Sequence, residues 1–216
     1  MIAFNCINSF KKKTKVDVYY LGLVEYEKAE AIQKDLSCRV RTEDKMFILG
    51  LEHPAVISLG RRSNHELIED NLKAIPVVKS TRGGLVTIHS EGQLVIYPIL
   101  DLKKLNWGVR QYVLMLLLVT QQLLSEFNIE SFIDEQAIGL YTQSGKIAFC
   151  GIEIKNGISM HGLSLNICND LSLFKNITAC GTPNIKLDKW VLHQSITPTF
   201  EKIVSRWSDI FFSHLS

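Results

Sequence analysis

The chain has 216 residues, 46% of them hydrophobic and 21% charged, the balance of an ordinary globular protein. A formal net charge of +2 is too small to draw it to nucleic acid or to an anionic membrane surface. The most apolar run, Val113 to Val119, is far too short to cross a bilayer, and a chain of this size buries roughly 70–75% of its unfolded surface without covalent staples.

The N-terminal MIAFNCINSFKKKTK has no charged region ahead of its apolar part, so it does not read as a secretory signal. With Lys11, Lys12, Lys13 and Lys15, residues 1–15 read as a flexible or peripheral lead-in. Val16 to Leu23 is β-branched and aromatic and reads as the first strand. Glu25 to Leu36 sets Tyr26, Ala29, Ile32 and Leu36 on one helical face. Met46 to Leu49 reads as a buried strand, and LEHPAVISLGRRSN holds another between Pro54 and Gly60, with Arg61 and Arg62 at its exit.

Pro76 to Lys79 is a further short strand leading into STRGGLVTIHSEGQLVIYPIL. There Arg82 adjoins Gly83-Gly84, a flexible backbone whose amides, beside a guanidinium, suit close approach of a polar ligand. Leu94 to Tyr97 is a strand. Asn106 to Ser125 reads as a helix capped by Asn106, with Val109, Val113, Leu116, Leu117, Thr120 and Leu124 as its core stripe. Ile138 to Tyr141 pairs with Lys146 to Ile154 across Ser144-Gly145, and Asn156-Gly157 signals a second hairpin. A C-terminal helix starts at Thr197-Pro198 and turns Phe200, Ile203, Val204, Trp207, Ile210 and Phe211 inward. Hairpins with few long helices predict one domain over 1–216, an α/β chain with a mixed sheet and helices on one or both sides.

Five cysteines (Cys6, Cys38, Cys150, Cys168, Cys180), without a C-x-x-C pair, read as reduced thiols of a cytoplasmic protein, four of the five buried and inert. Cys180 differs in its setting, ACGTP, where Gly181 and Pro183 impose a turn and free amides can face a carbonyl. A cysteine nucleophile needs its thiolate, which a nearby cation favours, and Lys146 opens the strand stretch that Cys180 closes. Against this stand plain alternatives: a small apolar residue at a strand end, and a solvated lysine beside a turn. His53, His89 and His161 show no metal-ligand spacing, and no G-x-S-x-G elbow is present.

Three stretches, LEHPAVISLGRRS, TRGGLVTIHSEGQLVIYPILDLK and GKIAFCGIEIKNGISMHGLSLNICNDLSLFKNITACG, resemble the lipoyl(octanoyl) transferases of lipoate biosynthesis, over about Leu21 to Thr182. The resemblance implies the fold of the biotin and lipoate protein ligase catalytic domain. It implies transfer of an octanoyl group from acyl carrier protein onto Cys180 as a thioester. The group then passes to a lysine of a lipoyl domain of a 2-oxoacid dehydrogenase, or of the glycine-cleavage H protein. Lys146 falls on the family lysine that lowers the thiol pKa and shuttles its proton. The acyl-binding segments fall on Arg82, Gly83, Gly84, Leu85, Val86, Thr87, Ile88 and His89, on Phe149, Cys150 and Gly151, and on Gly162, Leu163 and Ser164. No metal or other cofactor is implied, since thioester exchange is nearly balanced and amide formation runs downhill.

The sequence departs from the family at His89-Ser90-Glu91-Gly92-Gln93, where H-G-P-G-Q is usual, and at Leu140-Tyr141, where Val-Trp is usual. Neighbouring activities are a lipoate–protein ligase using ATP, an amidotransferase between lipoyl domains, and a non-catalytic lipoyl-domain binder. Cys180 at its family spacing from Lys146 argues against the ligase and the binder.

Overall fold

The computed structural model describes residues 5–9, 15–63, 74–134, 137–176, 185–194 and 196–215. In chain order they form β1 (Asn5–Ser9), β2 (Lys15–Leu23), α1 (Tyr26–Thr42), β3 (Lys45–Glu52), β4 (Val56–Leu59), β5 (Val77–Lys79), β6 (Val86–His89) and β7 (Gln93–Ile99). There follow α2 (Val109–Glu126), β8 (Phe132–Asp134), β9 (Gly139–Tyr141), β10 (Lys146–Lys155), β11 (Ile158–Asn166) and α3 (Phe200–Ser213). Short 3-10 turns at Leu171–Asn176 and Trp190–Leu192 lie between the last two. Asn5–Ser9, placed by its sequence in the lead-in, is an edge strand antiparallel to β2.

The large sheet runs β1-β2-β3-β7-β11-β10-β9-β8, and the small one β5-β4-β6. In the large sheet β2 and β3 are parallel with α1 as their crossover, and the other neighbours are antiparallel. Side-chain alternation sends successive residues to opposite faces, and here both faces are core. Met46 and Ile48 of β3, with Leu94 and Ile96 of β7, pack beneath α2 and α3. Phe47, Leu49 and Leu51, with Val95 and Tyr97, pack beneath Ala29 and Leu36 of α1. Phe149 of β10 packs with Ile57, Leu59, Val86 and Ile88 of the small sheet. The mixed sheet flanked by helices is the architecture expected from the hairpins.

Helix boundaries moved for local reasons. α1 runs on past Leu36 to Thr42, where Arg39 and Arg41 meet the negative end of the helix dipole. Asn106 takes a left-handed φ of 54° in the turn before α2, so Gly108 is the N-cap, and Val109 is exposed rather than core. α3 is capped two residues beyond Thr197, by Thr199, whose side chain accepts from the Lys202 amide. Trp207 Nε1 donates to Thr120 Oγ1 (2.8 Å), joining α3 to α2 inside the core. The thiols also differ from expectation. Cys38 and Cys168 are exposed, Cys38 because it lies on the outer side of α1.

Candidate active site

Lys146 opens β10 and is fully buried, not solvated. Its Nζ donates to the carbonyls of Ala137 (2.7 Å) and Ile138 (3.0 Å), and lies 5.2 Å from the Tyr141 ring centre and 5.1 Å from that of Phe149. Two carbonyl dipoles and two ring faces stabilise an ammonium that water no longer reaches. The pairing of β9 with β10 sets this geometry, and a Cβ at Gly139 would stand 2.4 Å from Lys146 Cε. Tyr141 of β9 supplies one of the rings.

A backbone clasp holds the same lysine to the segment after Cys180. The Lys146 amide donates to the Lys186 carbonyl (2.8 Å), and the Asp188 amide donates to the Lys146 carbonyl (3.0 Å), a parallel bridge centred on Leu187. The buried Asp188 carboxylate in turn accepts from Thr142 Oγ1, His193 Nε2 and the Lys189 amide. On the other side, the rings of Phe174 and Phe149 stack at 5.4 Å. Cys180 itself lies outside the described residues, as does the rest of 177–184.

Beside Lys146 lies a cavity of about 240 Å³ between the large sheet and β6. All of residues 82–89 except Ile88 line it, as do Phe149, Cys150, Gly151, Gly162, Leu163 and Ser164. Ile88 instead packs in the small-sheet core with Ile57 and Leu59. Gly151 and Gly162 are register partners, so neighbouring strands both lack a side chain at one level of the floor. A Cβ at Gly162 would meet the Ile96 carbonyl at 2.2 Å. The Gly83 amide, expected to be free for a ligand, donates to the Ile152 carbonyl (2.8 Å) and docks its loop on β10. The Arg82 guanidinium turns inward to Ser58 Oγ and the Ser58 carbonyl (2.6 Å). Ser90 and Glu91, the altered turn residues, are not among the lining.

Sequence reasoning missed Tyr97, Val113, Ala137 and Ile138 as lining, and missed the ring cluster that backs the cavity. Tyr26 stacks between His89 (5.9 Å) and His161 (6.4 Å), with His53 5.5 Å from His89. His53 Nδ1–H donates to the Val24 carbonyl, leaving Nε2 to accept from Tyr97 OH (2.9 Å). Nothing in the spacing of these residues signals their meeting, since it depends on α1, β3, β6, β7 and β11 converging.

Burial holds all three histidines neutral. It pushes His53 down to about 4 and His161 to about 3, and His89 well below its ordinary value. The Arg82 charge adds to the shift of His89 and His161. Burial pushes the Cys150 thiol up to about 12, though Lys146 opposes this, so Cys150 is inert as a nucleophile. A histidine whose folded pKa lies below its unfolded one contributes stability present above pH 6.5 and lost as pH falls through the folded pKa. The protein is therefore expected to lose about 3 kcal/mol on account of His53 alone between pH 6.5 and pH 4. A urea midpoint that stays flat over that interval would contradict this, and His53→Gln is expected to shallow the slope.

The residues from 25 to 195 match the family model described as the lipoyl protein ligase A/B catalytic domain. An octanoyltransferase of Shewanella loihica is 36% identical over 210 residues, covering 94% of this chain and 95% of its own. Among solved structures, lipoate-protein ligase A bound with ATP superposes with a TM-score of 0.69 at 12% identity, covering 88% of this chain and 83% of its own. Biotin protein ligase from Aquifex aeolicus, in complex with biotin and ATP, superposes at 0.57 and 12% identity, covering 94% and 71%. At such identities the two ligases report on the fold alone.

Proposed function

The chain belongs to the lipoyl protein ligase A/B catalytic-domain family and, within it, to the octanoyltransferases, and we propose that it carries an octanoyl group from acyl carrier protein to a protein lysine through a thioester on Cys180. The acceptors in this reading are lipoyl domains of 2-oxoacid dehydrogenases and the glycine-cleavage H protein, and the compartment is the cytoplasm.

The observation that carries the proposal is the pair of anchors on β10. Cys180 lies six positions after Phe174, which stacks on Phe149, and six before Lys186, whose carbonyl accepts from the Lys146 amide (180 − 174 = 186 − 180 = 6). At no more than about 3.6 Å per residue, chain length alone keeps Cys180 within about 22 Å of each anchor residue. The buried ammonium is the cation that favours a thiolate, in a setting where water screens little.

Two displacements follow. The Cys180 thiolate attacks the donor's thioester carbon, a new C–S bond forms as the donor's C–S bond breaks, and the donor sulfur leaves as a thiolate. The acceptor lysine's amine then attacks the acyl-enzyme carbon, forming the amide N–C bond as the Cys180 C–S bond breaks. The proton lost by nitrogen passes by way of Lys146 to the departing sulfur. Oxidation state is unchanged throughout, and both steps proceed without a nucleotide.

Incubation with octanoyl-acyl carrier protein is expected to add one octanoyl mass to the intact protein, in a hydroxylamine-labile bond, and Cys180→Ala is expected to add none. An unmodified parent protein, or equal modification of the variant, would refute the covalent step.

A further inference from the structure

One corner of the cavity is built for something other than an alkyl chain. His89 Nε2 makes no hydrogen bond among the described residues, and Thr87 Oγ1 and His161 Nδ1 are buried without a partner among them. All three residues line the cavity, and each is more than nine-tenths buried. An octanoyl tail laid against His89 Nε2 would leave it unpaired, at about 1–3 kcal/mol. Val113, Ile138 and Phe149 offer the tail an apolar wall in the same cavity instead.

The protonation of this corner is fixed from outside it. The Asp188 carbonyl can only accept, so Asn166 turns its Nδ2 toward it (3.0 Å). Asn166 Oδ1 then accepts from Gln93 Nε2 (2.9 Å) and from Asn169 Nδ2 (3.2 Å). Gln93 Oε1 is left facing His89 Nδ1 (2.7 Å), which must carry the hydrogen. The bare lone pair of His89 is therefore on Nε2. His161 follows the same logic: Thr81 Oγ1 donates to Glu153, so it accepts from His161 Nε2–H, and Nδ1 is bare. The corner thus presents two imidazole acceptors and a hydroxyl, a set that asks for an N–H donor.

We propose that this corner is an amine subsite, which takes the ε-amino group of the acceptor lysine with His89 Nε2 accepting one of its N–H bonds. The inference rests on the acyl-transfer reading above and assigns the second substrate to part of a wall otherwise read as acyl-binding. Arg82 beside the corner disfavours an ammonium and so favours the free amine, the form that attacks. The amine's two hydrogens then have separate fates. The one on His89 stays on the product amide, and the other is the proton that leaves as nitrogen bonds to the acyl carbon and the C–S bond breaks. The cavity also touches Ala137 and Ile138, whose carbonyls hold Lys146 Nζ, so subsite and proton carrier share one enclosure.

The test separates the half-reactions by single-turnover mass spectrometry. Octanoyl-acyl carrier protein loads the thiol, and a lipoyl domain then discharges it. His89→Ala and the isosteric Thr87→Val are expected to slow discharge roughly 10- to 100-fold more than they slow loading. His89→Gln, whose side-chain oxygen can accept the same N–H, is expected to recover part of the loss. Loading that falls as much as discharge returns these residues to the acyl wall and overturns the subsite. Variants that discharge as fast as an acylated parent overturn it alone, whereas a parent that never loads refutes the covalent reading and the subsite with it.

Discussion

Replacing Lys146 by methionine is expected to lower the transfer rate at least about a thousand-fold while changing folding stability by less than about 2 kcal/mol. The two effects separate because the ammonium's environment costs nearly as much as it returns. Its Nζ is removed from water and is held by the Ala137 and Ile138 carbonyls and by two aromatic faces. Methionine fills nearly the same volume between those faces without the desolvation cost, but takes the Nζ donor from both carbonyls, leaving that of Ala137 only the Tyr141 hydroxyl (3.4 Å). On the proposed mechanism the Cys180 thiolate, by contrast, would lose the cation that favours it. Steady-state transfer and a urea midpoint, measured on one preparation, check both halves. Transfer within tenfold of the parent would remove Lys146 from the chemistry, and a collapse in midpoint would make its role structural.

The second large effect is expected at Gly162. Alanine there places a Cβ 2.2 Å from the Ile96 carbonyl and 2.9 Å from Pro98 Cδ, both on β7, the neighbouring strand. Neither atom can swing away as a side-chain tip can. β7 must shift, at a cost of roughly 2–4 kcal/mol, equivalent to a melting temperature lower by about 10 °C. Since β7 also carries Val95 and Tyr97 to the cavity, the octanoyl-loading rate is expected to fall with stability. Gly108→Ala is the matching control, because a Cβ there meets nothing within 4 Å. Because Gly108 is the N-cap of α2 and alanine caps less well, its melting temperature is expected to fall by no more than about 4 °C, well short of the Gly162 variant.

What the sequence made legible was local. Asn156 and Gly157, at φ 56° and 92°, form the β10–β11 turn that their identities announce, and Ser144-Gly145 closes β9 on β10 as expected. Apolar alternation located the central strands to within a few residues. Caps were less legible because Asn and Thr serve turns as well as helix starts. Asn106 is in a turn, and of two nearby threonines Thr199 makes the capping bond. Least legible were meetings between distant elements. A lysine's charge predicts exposure, and nothing in its neighbours reveals that two β9-side carbonyls will enclose it. The motif resemblance led to residues of one cavity without indicating that its polar corner and its apolar wall differ in chemistry. That distinction arises from hydrogen-bond direction, traceable only from Asp188 through Asn166 and Gln93 to His89.

The clasp of Lys186 and Asp188 on Lys146 also imposes an order in time on synthesis. Lys146 leaves the ribosome first, Cys180 follows 34 positions later (180 − 146), and Lys186 and Asp188, which clasp Lys146, come last. At roughly 5–20 residues per second, Cys180 precedes the clasp residues by about a second. A fragment ending at residue 184 holds both members of the pair and none of the clasp. The shortest active fragment is accordingly expected to extend beyond Asp188, a boundary that a truncation series scored for octanoyl loading would locate.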